Sequence, residues 1–447
     1  MDYRDLAHDL LKRAACKGPS GAEVIIIEDE AFSVEVRMRA VDTLKSARKK
    51  RLGLRLCFGQ RSATTSTSDF SAESLRKLLE DTAAMAQATA EDPCSGLPEP
   101  DLFSAEVPEL DLWDPEAADL PIAERIALAT AAESAALDFD PRITNSDGAE
   151  YSHQDARIVF ANSHGFTGEY RGSSLVLSAM SVAGDNGGMQ RDGWYSVQRR
   201  LRHLDSPEAI GRTAAQRAIR RLGARKVATQ HVPVVFDPDT AASLLRTICS
   251  AASGSAIYRS ASFLTGKLGQ RVAVPGLTIA DDGRMVGHLG TRPFDGEGLP
   301  TGRTVVIEDG VLTSYLLNTY TGRKLGMAST GNALRSLGQP PTVGPTNCSI
   351  APGPHAPEQI IRSVSQGLYV TEMIGFGVNL VTGDYSRGAV GLWIENGELA
   401  YPVEEITIAG NFMEMLRRIE MIGNDLEWRG SIAAPTLKIA CMTVAGH

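Results

Sequence analysis

Apolar and polar positions follow two alternating periods along this 447-residue chain. Near the start, Leu6, Leu10, Leu11 and Ala14 recur at helical spacing, which predicts a helix over residues 2–16. Period two then takes over in "AEVIIIE", "FSVEVRMR" and "RLGLRLCFG", with Phe32, Val34, Val36 and Met38 alternating along the second stretch. These read as short strands, and the basic run "KSARKKR" (Lys45 to Arg51) reads as a solvated hairpin between two of them. Helical spacing returns in "AESLRKLLEDTAAMAQAT". Ser71 is the expected N-cap, and Glu73 sits in the first turn, where the helix dipole favours an acid.

The Pro- and acid-rich stretch over residues 91–115 predicts a linker. A helix follows in "PIAERIALATAAESAALDFDP", then strands in "ARIVFANSHG", "FTGEYRGSSLVLSAMSVAG" and "GWYSVQRRLR". Next comes a basic amphipathic helix, "PEAIGRTAAQRAIRRLG", whose arginines fall on one face and are expected to meet solvent or a partner. From "HVPVVFDPDTAASLLRTI" onward, strands and glycine turns dominate. "EDG" and "ENG" between alternating runs are hairpin signals. The expected fold class is α+β, with sandwich-like α/β domains over 1–100 and 112–225 and a β-rich C-terminal domain over 228–447.

Composition narrows the function classes. The chain is 43% hydrophobic and 22% charged, ordinary for a globular protein, and carries a net charge of −9. That balance argues against a nucleic-acid-binding face, which needs net basic charge. No run of about 18 apolar residues predicts a bilayer span. The acidic, amphipathic N-terminus lacks the pattern of a secretory signal. Six scattered cysteines with no C-x-x-C are the pattern of reduced thiols, so a cytoplasmic location is expected.

Local motifs for catalysis fail one by one. The eight histidines are scattered with no H-E-x-x-H; "TGKLG" lacks the first glycine of a P-loop; no G-x-G-x-x-G follows a strand. "GDYSRGAVG" comes nearest to a nucleophile elbow around Ser386, but Asp384 replaces the first glycine and the stretch leads into a strand. The preferred reading is a tight turn in which Asp384 and Arg387 pair or bind backbone. "TRPFDGEGLPTGRTVV" is a second dense polar turn, with Arg292, Asp295 and Glu297 as structural or ligand-contacting groups.

Several segments together resemble the TldD/PmbA family. They are "NSDGAEYS", "YRSASFL", "PFDGEG", "STGNA" after "NTYTGRKLGM", "VTEMIGFGVNLVTGDYSRGAVGLWIENGELAYPVEEITIAGN" and "IGNDLEWR". The resemblance covers nearly the whole chain and is most specific in the C-terminal block, where the chain is similar to the PmbA (TldE) branch. It implies a cytoplasmic heterodimeric peptidase, linked to maturing a peptide antibiotic and degrading an antitoxin, and formerly called a modulator of DNA gyrase. In that pair, one subunit carries zinc on H-E-x-x-x-H plus a later cysteine.

Laid on that motif, this chain has Arg246 at the first ligand position, Thr247 at the general-base position and Ala251 at the second ligand position. None of the three can play its part. The loop after "GNDL" holds no cysteine; Cys441 lies further on, in a core-like run, and Cys249 reads as a small helix-interior hydrophobe. The resemblance therefore implies no catalytic or metal-binding residue in this chain. It implies zinc in a TldD-type partner and unfolded peptide substrates, with a homodimer left open; the charge balance and the lack of a long apolar run argue against nucleic acid and membrane as partners. Small residues at Ser250, Ala251, Ala252 and Ser253 would admit a close backbone. Arg292, Asp295, Glu297, Asn332, Asp384 and Arg387 are the expected peptide-channel residues. Two alternatives stand beside this reading: a stand-alone peptide-binding or regulatory protein, and a metallopeptidase using scattered ligands such as His231 and His288.

Overall fold

The computed structural model describes residues 2–104, 106–185 and 188–446. His447, one of the eight histidines, lies outside the described residues. The chain opens with α1 (Tyr3–Ala15), β1 (Gly21–Arg37), β2 (Ala40–Phe58), β3 (Arg61–Thr67) and α2 (Ala72–Ala88). After the Pro-rich stretch come α3 (Pro115–Ala118), α4 (Ile122–Leu137), β4 (Ile143–Asn162), β5 (Thr167–Asp185), β6 (Gly188–Gln198) and α5 (Pro207–Ile219). All six strands form one antiparallel sheet in the order β3-β2-β1-β4-β5-β6. The segments 1–100 and 112–225 thus give three strands each to a shared sheet, joined by the β1–β4 pairing.

Period-two patterning explains how the sheet is covered. Ala22, Val24 and Ile26 of β1 pack in the same cluster as residues of α1 and α2, and Phe32, Val34 and Val36 pack with residues of α4 and α5. The stretches expected as two short strands are one long strand, and Met38 lies beyond its end, exposed in a turn.

The basic run is not a hairpin. It lies within β2, opposite the acidic stretch Glu28 to Glu30 of β1, and Arg48 and Arg51 pair with Glu28 and Asp29 at 2.7 Å each. The hairpin turn is instead Met38–Arg39, with φ of 50° and 63°. Buried Glu133 of α4 accepts both of its backbone N–H groups, at 2.8 and 2.6 Å, which compensates for the missing glycine. Arg212 of α5 meets solvent, but Arg217 and, just past the helix end, Arg221 meet protein. Arg217 pairs with Asp192 of β6 at 3.1 Å, and Arg221 reaches Glu372 of the C-terminal region at 2.7 Å.

The second half begins with β7 (Gln230–Phe236), α6 (Pro238–Ala251) and α7 (Gly254–Tyr258). Strand β7 belongs to a closed barrel, where it lies between Gln366–Ile374 and Leu437–Ala445. Asp384–Glu395 and Glu398–Asn411 continue from Gln366–Ile374, and Glu398–Asn411 pairs back onto Leu437–Ala445. A second, five-stranded sheet includes Ile279–Asp282, Arg303–Glu308 and Cys348–Ile350. Helix α6 packs between the two, its Leu244 and Ile248 in one core with Phe236, Ile350, Phe412 and Leu437. Both expected hairpins form: Asp309–Gly310 and Asn396–Gly397 take positive φ throughout, as a type I′ turn requires. The molecule is α+β, as the patterning indicates. Among the described residues no helix is long and apolar enough to cross a membrane.

Candidate functional site

Helix α6 starts where the sequence says a helix should. Asp237 caps it, its carboxylate accepting the Thr240 N–H at 2.8 Å and the Thr240 hydroxyl at 2.7 Å, with Pro238 in the first turn. Burial raises the Asp237 pKa, against those hydrogen bonds. Leu244, Leu245, Ile248 and Cys249 fill the inner face, leaving Arg246 and Ser250 exposed on the outer one.

The three motif positions do not converge on a metal. Arg246 is exposed and cationic. The Thr247 hydroxyl donates back to the Ser243 carbonyl at 3.4 Å. Ala251 is completely buried, and its carbonyl accepts the Ser262 hydroxyl at 2.6 Å. Trp428, Arg429 and Gly430 occupy the loop after Asp425, and Ile432–Ala433 then pairs with Cys348–Ile350. Among the described residues no three His, Cys, Asp or Glu side chains come together as metal ligands. The donor set does not fit zinc.

This outer face carries an aromatic and basic cluster that sequence reasoning missed. Asp239, in the first turn of α6, receives the Tyr195 hydroxyl at 3.5 Å and lies 3.6 Å from the Arg429 guanidinium. Arg429 in turn sits over the Trp194 ring at 4.2 Å, and Trp428 meets the His288 ring edge-on at 4.9 Å. Partial burial lowers the His288 pKa, favouring the neutral ring. The expected close backbone approach at the small residues is made by the chain itself: Gly254 N–H donates to the Leu316 carbonyl at 2.8 Å, and Leu316 N–H to the Ala252 carbonyl at 3.0 Å.

Four of the six expected channel residues lie in one buried region. Asp295 is fully enclosed and accepts the backbone N–H groups of Glu297, Leu299 and Ala333, at 2.8 to 3.0 Å. Glu297 accepts the Thr319 N–H at 2.9 Å. Asn332 donates to Asp281 at 2.7 Å, and Arg292 reaches the Ala333 and Pro345 carbonyls. Burial, with the Glu297 charge nearby, raises the Asp295 pKa to about 7; burial raises Glu297 and Asp281 as well.

Beside them lies an ion cluster with no local sequence signal. Glu23 of β1 is held by Arg55 of β2 at 3.4 Å and by Arg335 of the C-terminal region, with all three side chains enclosed. Burial works against the Glu23 charge, but the two guanidinium groups outweigh it and keep its pKa below the ordinary value. This cluster spans the seam between the N-terminal sheet and the C-terminal region.

Asp384 and Arg387 lie elsewhere, at the start of a barrel strand. Asp384 accepts the Thr382 hydroxyl at 2.7 Å and the Asn411 amide at 3.2 Å; these are its side-chain partners, rather than Arg387. Ser386 is exposed on that strand. His231 bonds Thr443 at 3.2 Å, remote in sequence from His288. All six cysteines are free thiols; Cys441 is half-buried, and the buried Cys249 and Cys348 sulfurs lie 3.2 Å apart.

Comparison with known proteins places these features in context. Models of the PmbA/TldA metallopeptidase domain 1, central domain and C-terminal domain match residues 22–86, 115–222 and 229–446. The chain is 38% identical to the metalloprotease PmbA of Escherichia coli over 96% of its own length and 92% of that protein. It is 35% identical to the Haemophilus influenzae metalloprotease PmbA homolog, over 97% and 94% of the two chains. In structure it resembles a Bacteroides thetaiotaomicron protein named as a candidate modulator of DNA gyrase, with a TM-score of 0.91, 29% identity and 99% of each chain covered. TldE from Thermococcus kodakarensis shares the fold with a TM-score of 0.86 at 21% identity, over 98% and 99% of the chains.

Proposed function

The chain belongs to the PmbA/TldD metallopeptidase family, and on that premise we propose that it is the zinc-less subunit of a two-subunit peptidase. Its partner is a TldD-type chain that carries the zinc, and the pair acts on unfolded peptides in the cytoplasm. The observation that carries this reading is the state of α6: an exposed arginine, a back-bonded threonine and a sealed alanine stand at the positions of the zinc motif.

In this role the chain supplies walls rather than chemistry. Asp295, Glu297 and Asn332 act as buried posts that, with Arg292, hold the loops lining the peptide path; Asp384 and Arg387 contribute from the barrel strand. A strand edge of the C-terminal region gives main-chain hydrogen bonds to an extended peptide, a mode that tolerates varied side chains.

Elemental analysis of the purified chain tests the zinc-less assignment. The expected result is no stoichiometric zinc. About one zinc per chain, lost on replacing His231 or His288, would overturn it in favour of a metallopeptidase with its own ligands.

A further inference from the structure

The inner face of α6 holds a pair of nucleophilic side chains. Cys249 lies between Thr247 and Ala251 and is 3% exposed; Cys348 opens the strand Cys348–Ile350 of the five-stranded sheet and is fully enclosed. Their sulfurs lie 3.2 Å apart, although 99 residues separate them along the chain. Both are free thiols, packed in one core with Ile248, Ile279 and Ile432. Within the sheet, Cys348 stands between Asp281 on one neighbouring strand and Ile432 on the other, so helix and sheet meet at this sulfur pair.

Two thiols in contact inside a core are close to a disulfide. A sulfur–sulfur bond is about 2.05 Å long, so closing this pair takes a movement of about 1 Å. The other cysteines lie elsewhere: Cys57 is buried in β2, Cys16 is exposed, and Cys94 and Cys441 are half-buried. Among the described residues no third His, Cys, Asp or Glu completes a metal site around the pair. The peptidase role proposed above uses neither sulfur.

We propose that Cys249 and Cys348 form an internal disulfide when the chain meets hydrogen peroxide, tying α6 to the five-stranded sheet. The Cys249 sulfur attacks the peroxide and the O–O bond breaks, giving a Cys249 sulfenic acid and, with the thiol proton, one water. The Cys348 sulfur then displaces the hydroxyl group: the S–O bond breaks, the S–S bond forms, and the hydroxyl leaves with the Cys348 proton as a second water. The two sulfurs lose one electron each, and the peroxide is reduced to water. Contact with Cys249, and burial after it, push the Cys348 thiol well above its ordinary range, which keeps Cys348 protonated and gives the first step to Cys249. Peroxide is small and uncharged, so local opening of the core admits it. In a reducing compartment the pair stays as thiols.

The test is peptide mapping of the intact chain by mass spectrometry. N-ethylmaleimide first blocks the thiols that are open in the native chain, Cys16 among them. Hydrogen peroxide is then added at pH 8, and the chain is unfolded and alkylated with iodoacetamide, with and without prior reduction by dithiothreitol. The expected product is a linked pair of peptides carrying Cys249 and Cys348, lighter than the free peptides by the two thiol hydrogens and separated by dithiothreitol. The oxidised chain should also melt several degrees above the untreated one, because the link closes a long loop in the unfolded chain. Cys249→Ala and Cys348→Ala, made separately so that one folded variant suffices, should abolish both the linked pair and the rise in melting temperature. Free thiols at Cys249 and Cys348 after peroxide overturn the proposal, as does linkage of either to Cys57 or sulfinic acid at both in place of the link. A linked pair with an unchanged melting temperature overturns the tie between α6 and the sheet. Every readout is made on this chain alone, so its failure leaves cleavage by the two-subunit peptidase untouched, and failure of that cleavage leaves the disulfide untouched.

Discussion

The outer face of α6 and the seam around Glu23 treat charge in opposite ways. On α6, Arg246 is exposed to water and Asp239 meets Arg429 at a loose 3.6 Å. At the seam, the side chains of Glu23, Arg55 and Arg335 are enclosed together, with Asp295 and Glu297 buried nearby. A catalytic centre needs its titratable groups gathered in the cleft where bonds change. Here the strongly perturbed carboxyls hold backbone N–H groups and join strands to loops. The contrast indicates that buried charge at the seam secures architecture, while on α6 Arg246 meets solvent and Ala251 is sealed inside.

The largest expected effect comes from breaking the seam. Glu23→Ala leaves two buried guanidinium groups without their shared carboxylate and should cost about 3–5 kcal/mol in denaturant unfolding. A loss below about 1 kcal/mol would mean that the seam is no more important than a surface pair.

The pH dependence sharpens the same point. The folded pKa of Asp295, about 7, lies above its ordinary 3.8, so the folded chain holds that proton more tightly than the unfolded one. Its contribution is fully present below about pH 4 and is lost as pH rises through 7. The span corresponds to a ceiling of about 4 kcal/mol. The stability of the natural chain relative to Asp295→Asn should therefore fall between pH 4 and 8, followed by melting temperature at each pH. A difference independent of pH would show that Asp295 is ionised throughout that range.

At α6 the effects are smaller. Replacing Arg246 by His, Thr247 by Glu and Ala251 by His together should destabilise the chain by about 1–3 kcal/mol, because the fully buried Ala251 site has no room for an imidazole. The triple variant should still lack a tight zinc site, with no third ligand in the loop around Gly430. Submicromolar zinc binding would contradict this. Arg429→Ala, which removes the pairs with Asp239 and Glu427 and the guanidinium over Trp194, should cost about 1 kcal/mol.

Local chemistry was legible in the sequence; long-range charge pairing was not. The "EDG" and "ENG" turns form where their positive-φ residues call for them, and Ser71 caps α2 by accepting the Ser74 N–H at 3.3 Å. The Met38–Arg39 turn was missed because nothing in those two residues favours positive φ; the compensation comes from Glu133, about ninety-five residues later. The basic run reads as solvated, and the arginines after Pro207 as meeting solvent or a partner, because the acidic groups they pair with, Glu28 to Glu30, Asp192 and Glu372, lie on other strands. Likewise, Arg246, Thr247 and Ala251 could be placed on one helix from the sequence. The Glu23 cluster could not be read from it, since Arg335 lies about three hundred residues along the chain from Glu23.

The most direct measurement of the central claim is cleavage of a disordered peptide by this chain alone, by a zinc-bearing TldD-type subunit alone, and by the two mixed. The account predicts no cleavage by this chain, little by the zinc subunit, and chelator-sensitive cleavage by the mixture that spares folded proteins. Equal cleavage by the zinc subunit without this chain would contradict the role assigned to it. Chelator-insensitive cleavage by this chain alone would contradict the account at its root and direct attention to Ser386 or a cysteine.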